Sequence, residues 1–154
     1  MRKAMLLLAV FGLVGTPWGA DSTIGIWKLN ARKTKVTGPA GGISESSTVI
    51  IEAQENGIKL TWNAVKTDGK AIHGEFAAKY DGRDYPVTGD PGSDTVSLTK
   101  IDANTVSYLY KKDGKEVLRE RAVVSKDGKT ISLTVKGQDA KGKAYEATLI
   151  YDRE

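Results

Sequence analysis

Four Asp-Gly dipeptides, at Asp68-Gly69, Asp81-Gly82, Asp113-Gly114 and Asp127-Gly128, break the chain at short intervals, and Asn56-Gly57 adds a fifth turn signal. Asp or Asn followed by Gly tolerates the positive φ angles of tight turns. Flanked by alternating polar and apolar residues, such pairs mark β-hairpins. The segments between them alternate in this way and are rich in Val, Ile, Thr and Tyr. They predict strands over 23–30, 47–54, 58–66, 71–80, 84–88, 95–101, 104–112, 115–125, 129–136 and 143–153. Helical periodicity is confined to one turn after Asp21. The fold class is therefore all-β, an antiparallel up-and-down meander. An open sheet of this length would expose two edges and one apolar face, whereas closure into a small barrel of about 8–10 strands removes both problems. A β-sandwich is the alternative, because 37–42 and 88–92 are long enough to cross between sheets.

Register follows from matching apolar faces, since a slip of one residue turns a whole strand over. A two-residue loop at Asn56-Gly57 pairs Ala53 with Leu60 and Ile51 with Trp62. At Asp68-Gly69 a two-residue loop mixes faces. A three-residue loop, with Gly69 at a left-handed bulge position, pairs Leu60 with Phe76, Trp62 with Gly74 and Ala64 with Ile72. Leu60, Trp62 and Phe76 then face inward, with Leu98, Leu133, Tyr145 and Leu149.

The N-terminus bears on compartment. Met1-Arg2-Lys3 is a cationic start, Ala4–Val14 an unbroken apolar run, and Gly15–Ala20 a small-residue, turn-prone end, which is the layout of a secretory signal. The run is well short of the ~20 residues of a membrane span. Cleavage after Ala20 leaves one domain, 21–154, without a membrane span, taken as a periplasmic or secreted monomer. The chain has 23 basic and 19 acidic side chains, and loss of Arg2 and Lys3 takes its net charge from +4 to +2. Lysines are scattered beside Asp and Glu and form no stripe, so the sequence gives no footing to a nucleic-acid role. There is no cysteine. That excludes lipid attachment at a processed N-terminal Cys and leaves stability to packing and strand closure.

Gly25-Ile26-Trp27, at the start of the first strand, resembles the G-x-W opening of the lipocalin and fatty-acid-binding-protein group of calycin barrels. Gly25–Asn30 and Val124–Thr130 are also similar to segments of exported bacterial lipocalin-like proteins. The resemblance implies that Trp27 plugs one end of the barrel beneath a basic residue of the last strand. Arg153 stands where that partner is expected, so Gly25, Trp27 and Arg153 are the implied closure, with guanidinium over indole a favourable cation–π pair. It also implies a ligand inside the barrel. The sequence departs from lipocalins in lacking disulfides and an evident C-terminal helix. It departs from fatty-acid-binding proteins in lacking the helix pair after the first strand that serves as a lid.

Fatty-acid-binding proteins hold a ligand carboxylate with interior Arg and Tyr, and Arg119, Arg121, Tyr108, Tyr110 and Tyr151 resemble that set. A guanidinium fork meets a carboxylate with two bonds. In Val117–Val124 one alternating face carries Arg119 and Arg121, the other Leu118, Glu120, Ala122 and Val124. A three-residue loop at Lys126–Gly128 pairs Arg121 with Leu133 and Val123 with Ile131, placing both arginines inside. The opposite register leaves them in solvent. A two-residue loop at Asp113-Gly114 sets Tyr108 against Arg119, and a three-residue loop sets it against Leu118.

Other residues give little chemistry. His73 is the sole histidine, on an outer face with Glu75, and a metal site wants three or four ligands. Asp81, Asp84, Asp90 and Asp94 lack calcium-loop spacing and suit turns. No nucleophile–base pair emerges. The expectation is a non-enzyme without cofactor that carries a small hydrophobic or amphipathic ligand, an anionic one among them, at Leu60, Trp62, Phe76, Tyr108, Tyr110, Arg119, Arg121 and Tyr151. The competing expectation is a structural or inhibitory protein with a filled barrel, acting through loops 37–46 and 88–94.

Overall fold

The computed structural model describes residues 21–39, 44–139 and 141–154. The expected signal (1–20) and residues 40–43 of the loop 37–46 lie outside the described residues. Eleven strands follow one another: β1 Gly25–Leu29, β2 Lys35–Thr37, β3 Ser44–Gln54, β4 Gly57–Lys66, β5 Ala71–Lys79, β6 Tyr85–Thr88, β7 Thr95–Asp102, β8 Thr105–Lys112, β9 Lys115–Val124, β10 Thr130–Gln138 and β11 Ala144–Arg153. No helix occurs among the described residues. Successive strands from β3 to β11 pair antiparallel, and β1 bonds to both β3 and β11. Ten strands thus close into a barrel, which settles barrel against sandwich. β2 was not anticipated. It lies beside the start of β11, through Glu146, Ala147 and Thr148, while β1 pairs with that strand's end.

The predicted hairpins differ in how well they survive. Lys66 N–H donates to Lys70 O at 2.9 Å and Gly69 takes φ +82°, so the loop at Asp68-Gly69 has three residues. Leu60 faces Phe76 and Trp62 faces Gly74, as expected. The β3–β4 turn is instead Glu55-Asn56, with Asn56 at φ +57°. Ile51 therefore pairs with Leu60 and Ala53 with Ile58, a slip of two residues that keeps every side chain on its expected face.

The β9 register is the main correction. The turn into β9 has two residues, Asp113 and Gly114, both at positive φ. Beyond it, Tyr110 pairs with Leu118 but Lys111 with Glu116, so Val117 is an unpaired bulge residue. Tyr108 consequently meets Glu120, which neither expected loop length provided. The β9–β10 turn contains four residues, closed by Ser125 N–H to Thr130 O at 2.8 Å. Asp127 holds it, accepting from Ser125 Oγ at 2.6 Å and Lys129 N–H at 3.0 Å. Val124 then pairs with Ile131, so Leu118, Glu120, Ala122 and Val124 face inward. Arg119 and Arg121 are exposed on the outer wall. Enclosing two unpaired guanidiniums would cost more than enclosing one carboxyl, which can take up a proton.

The most deeply buried side chains lie toward the end of the barrel that holds the start of β1. Trp27, Ile58, Val96, Leu98 and Val106 are almost wholly buried there. The indole N–H of Trp27 donates to Thr23 O at 2.8 Å. Arg153 lies over the Trp27 ring, 4.2 Å from its centroid. Its guanidinium donates to Ile24 O (2.7 Å), Ser22 O (2.9 Å) and Gly128 O (2.7 Å). Gly25 sits below it at φ +144°, where a Cβ would fall 2.3 Å from Arg153 Nη1. Beside them Asp21 accepts from Thr23 N–H, Thr23 Oγ1 and the Tyr80 hydroxyl, with Lys100 Nζ at 3.8 Å. Burial alone would raise the Asp21 carboxyl, but the hydrogen bonds from Thr23 and Tyr80 outweigh it and hold the group below its ordinary value.

Replacing Arg153 by Ala removes the ring contact and three charge-assisted bonds at an exposed site. Stability should fall by about 1–3 kcal/mol, read as a lower urea midpoint at unchanged slope. Arg153→Lys should recover less than half of the loss, because a single ammonium cannot span three carbonyls.

Candidate functional site

Above Trp27 the barrel is hollow. A cavity of about 790 Å³ runs from that indole to the opposite end. That is within the ~300–1,000 Å³ of small-molecule pockets. The filled-barrel expectation therefore describes only the end around Trp27. The rim is made by Ser44, Lys66, Gln138, Asp139, Lys141 and the loop Asp90–Ser93. Asp90 fixes that loop by accepting from Gly92 N–H (2.9 Å) and Ser93 Oγ (2.5 Å).

Strand alternation decides what the cavity sees. β4 contributes Leu60, Trp62 and Ala64, β8 contributes Tyr108 and Tyr110, and β11 contributes Tyr145, Leu149 and Tyr151. Ile131, Leu133 and Val135 of β10 complete an apolar wall. Trp62 lies on the backbone of Gly74, where a Cβ would stand 2.1 Å from the ring, so only glycine lets the indole lie flat. Phe76 does not line the cavity. It is buried behind it, its ring 6.3–6.4 Å from those of Trp62, Tyr108 and Tyr110, in edge-on and tilted contacts that support the wall.

Of the sequence-derived ligand set, the fold brings Leu60, Trp62, Tyr108, Tyr110 and Tyr151 to one cavity and places Phe76 behind it. Arg119 and Arg121 are removed from it altogether. Arg119 is held outside by a two-pronged pair with Glu116, both bonds at 3.0 Å. In their place stands Glu120, between Tyr108 on β8 and Val135 on β10. Its carboxyl is enclosed by protein, so the surface it keeps is cavity surface. Glu120 has no hydrogen-bond or ion-pair partner among the described residues. Burial, with a contribution from the charge on Asp90, pushes its pKa up to about 7. Burial likewise raises the Tyr108 and Tyr110 hydroxyls well above their ordinary value. Tyr151 is raised to about 12 by burial.

The sequence contained a signal for Glu120, because it shares an alternating face with Leu118, Ala122 and Val124. Missing was the one-residue difference in the following turn. The remaining polar candidates serve local structure. His73 Nδ1 is 2.7 Å from Asn63 Oδ1 on the outer wall. Asp81 bonds Arg83 N–H and the Tyr85 hydroxyl, Asp84 pairs with Lys111, and Asp94 accepts from Asp113 N–H. No cluster of three or more potential metal ligands occurs among the described residues.

The barrel is similar to that of zebrafish ileal bile acid-binding protein complexed with cholic acid. The match covers 86% of this chain and 99% of that one, at TM-score 0.51 and 11% identity. A siderocalin, Ex-FABP, described as functioning through dual ligand specificities, matches over 86% of this chain and 74% of its own, at TM-score 0.41 and 12% identity. No protein-family model matches the sequence, and no curated protein matches it significantly. At such identities the likeness to the bile acid-binding protein is one of fold.

Glu120 sets a pH dependence of stability. Its folded pKa, about 7, exceeds the ordinary carboxyl value of 4.5. Over that interval the folded state binds the extra proton, so stability contributed by this group falls as pH rises from 4.5 to 7 and stays lower above. Glu120→Gln removes the ionisation. The variant should be more stable than the parent by about 1–3 kcal/mol at pH 8 and equal to it within about 0.5 kcal/mol at pH 4.5, in paired urea titrations.

Proposed function

We propose that this chain is an exported, non-catalytic carrier that holds a small, mostly apolar molecule inside its barrel. One observation carries the reading: a cavity of about 790 Å³, walled by aromatic and aliphatic side chains and rimmed by polar ones. A core selected for stability alone would be filled, because empty space forfeits dispersion contacts. The bile acid-binding barrel, complexed with cholic acid, supports it as an instance of the same architecture around an amphipathic ligand. Export rests on the N-terminal pattern of charge, apolar run and small residues. An anionic ligand group loses the two arginines expected as its counter-ions, since both are outside, and the cations that line the cavity are Lys66 and Lys141 of the rim.

The test is binding of N-phenyl-1-naphthylamine, an uncharged hydrophobe whose fluorescence rises in apolar surroundings, to the purified protein. Saturable one-to-one binding is expected. Leu133→Trp, which fills space at a half-buried cavity position, should weaken it by at least about tenfold while leaving the β-sheet circular dichroism unchanged. Absence of saturable binding, or binding indifferent to that substitution, would contradict a ligand site in the barrel.

A further inference from the structure

Resting on the reading of the cavity as a ligand site, we infer that its ligand is an amphipathic amine whose protonated nitrogen pairs with the Glu120 carboxylate.

The inference starts from an imbalance. Glu120 projects from β9 into the cavity, enclosed by the barrel, with no hydrogen-bond or ion-pair partner among the described residues. Its cross-strand neighbours are Tyr108 and Val135, neither of which supplies a cation. The two arginines flanking it in sequence point to the opposite side of the sheet. Lys66 and Lys141 also line the cavity but make no ion pair with it. The enclosing protein opposes the charge of a carboxyl so placed, and no donor among the described residues offsets that. A cation carried in with a ligand removes the imbalance, gaining a charge-assisted hydrogen bond inside a low-dielectric space.

The surroundings suit an ammonium. Tyr108 and Tyr110 approach from β8, Tyr145 and Tyr151 from β11, and the charge on Glu120 is felt by all four hydroxyls. Aromatic faces around an acidic group stabilise an organic cation by their quadrupoles as well as by contact. Asp90 adds a second negative charge to the field at Glu120. A ligand carboxylate beside Glu120 would instead meet like charge, the lining cations, Lys66 and Lys141, belonging to the rim. Trp62, Leu133 and Leu149 leave apolar wall for a hydrocarbon body.

The experiment is competition against N-phenyl-1-naphthylamine at pH 7.5 by three ligands of equal chain length, namely dodecylamine, dodecanol and dodecanoate. The amine should displace the probe at least about tenfold more effectively than either of the others. In Glu120→Gln the amine should lose that advantage and displace the probe within threefold of dodecanol. An amine no better than dodecanol in the parent protein would overturn the inference, as would an advantage that persists in Glu120→Gln. The parent series decides even if that variant fails to fold. Probe binding with no amine preference removes only the inference, whereas no saturable probe binding removes the carrier reading beneath it.

Discussion

The guanidinium of Arg153 joins places far apart in the chain. It reaches the carbonyls of Ser22 and Ile24 before the first strand and that of Gly128 in the turn before β10, while its plane covers Trp27. Without cysteine, the closed ladder between β1 and β11 is the fold's substitute for a covalent clasp. That ladder is only three residue pairs long, Trp27–Arg153, Lys28–Asp152 and Leu29–Tyr151. The side-chain bonds at the same end therefore carry much of the closure. Thr23 and Tyr80 extend the clasp inward by donating to the Asp21 carboxylate, and Trp27 joins it by donating to Thr23 O.

Sealing one end so firmly allows the other to be hollow. Apolar contact around Ile58, Val96, Leu98 and Val106 is continuous, and Phe76 transmits it upward to Trp62, Tyr108 and Tyr110. Above that aromatic layer the wall has no facing partner, so its side chains border empty volume. Glu120 stands on that border. The same lack of neighbours that leaves room for a ligand also leaves its carboxyl unpaired, which links the shape of the site to its electrostatics.

Most of the fold was legible because hairpin chemistry is local. Asp-Gly and Asn-Gly marked turns, and period-two alternation marked the ten barrel strands to within three residues at each end. Faces survived even where pairing slipped, as between β3 and β4, because an even slip preserves the alternation. β9 was the exception, and for a definable reason. An extra residue in a turn and a bulge at Val117 each shift register by one, and neither has a compositional mark. Both faces of Val117–Val124 also carry charge, so hydrophobic patterning could not arbitrate. The inward facing of Leu60 and Trp62 was legible from alternation, whereas Tyr108, Tyr110 and Tyr151 entered the expected set through the resemblance. The acidic residue of the site was not legible, since placing Glu120 depended on that odd shift. β2 escaped notice because Lys35–Thr37 is too short to show a period.

The orientation of β9 is the claim on which the chemistry of the site turns, and a chain without cysteine permits a direct measurement. Single substitutions Arg119→Cys, Glu120→Cys, Arg121→Cys and Ala122→Cys can be compared for reaction with a maleimide too bulky to enter the barrel. Thiols at 119 and 121 should react at least about tenfold faster than those at 120 and 122, since modification follows exposure. Fast reaction at 120 and 122 with protection at 119 and 121 would put the arginines inside and contradict the account.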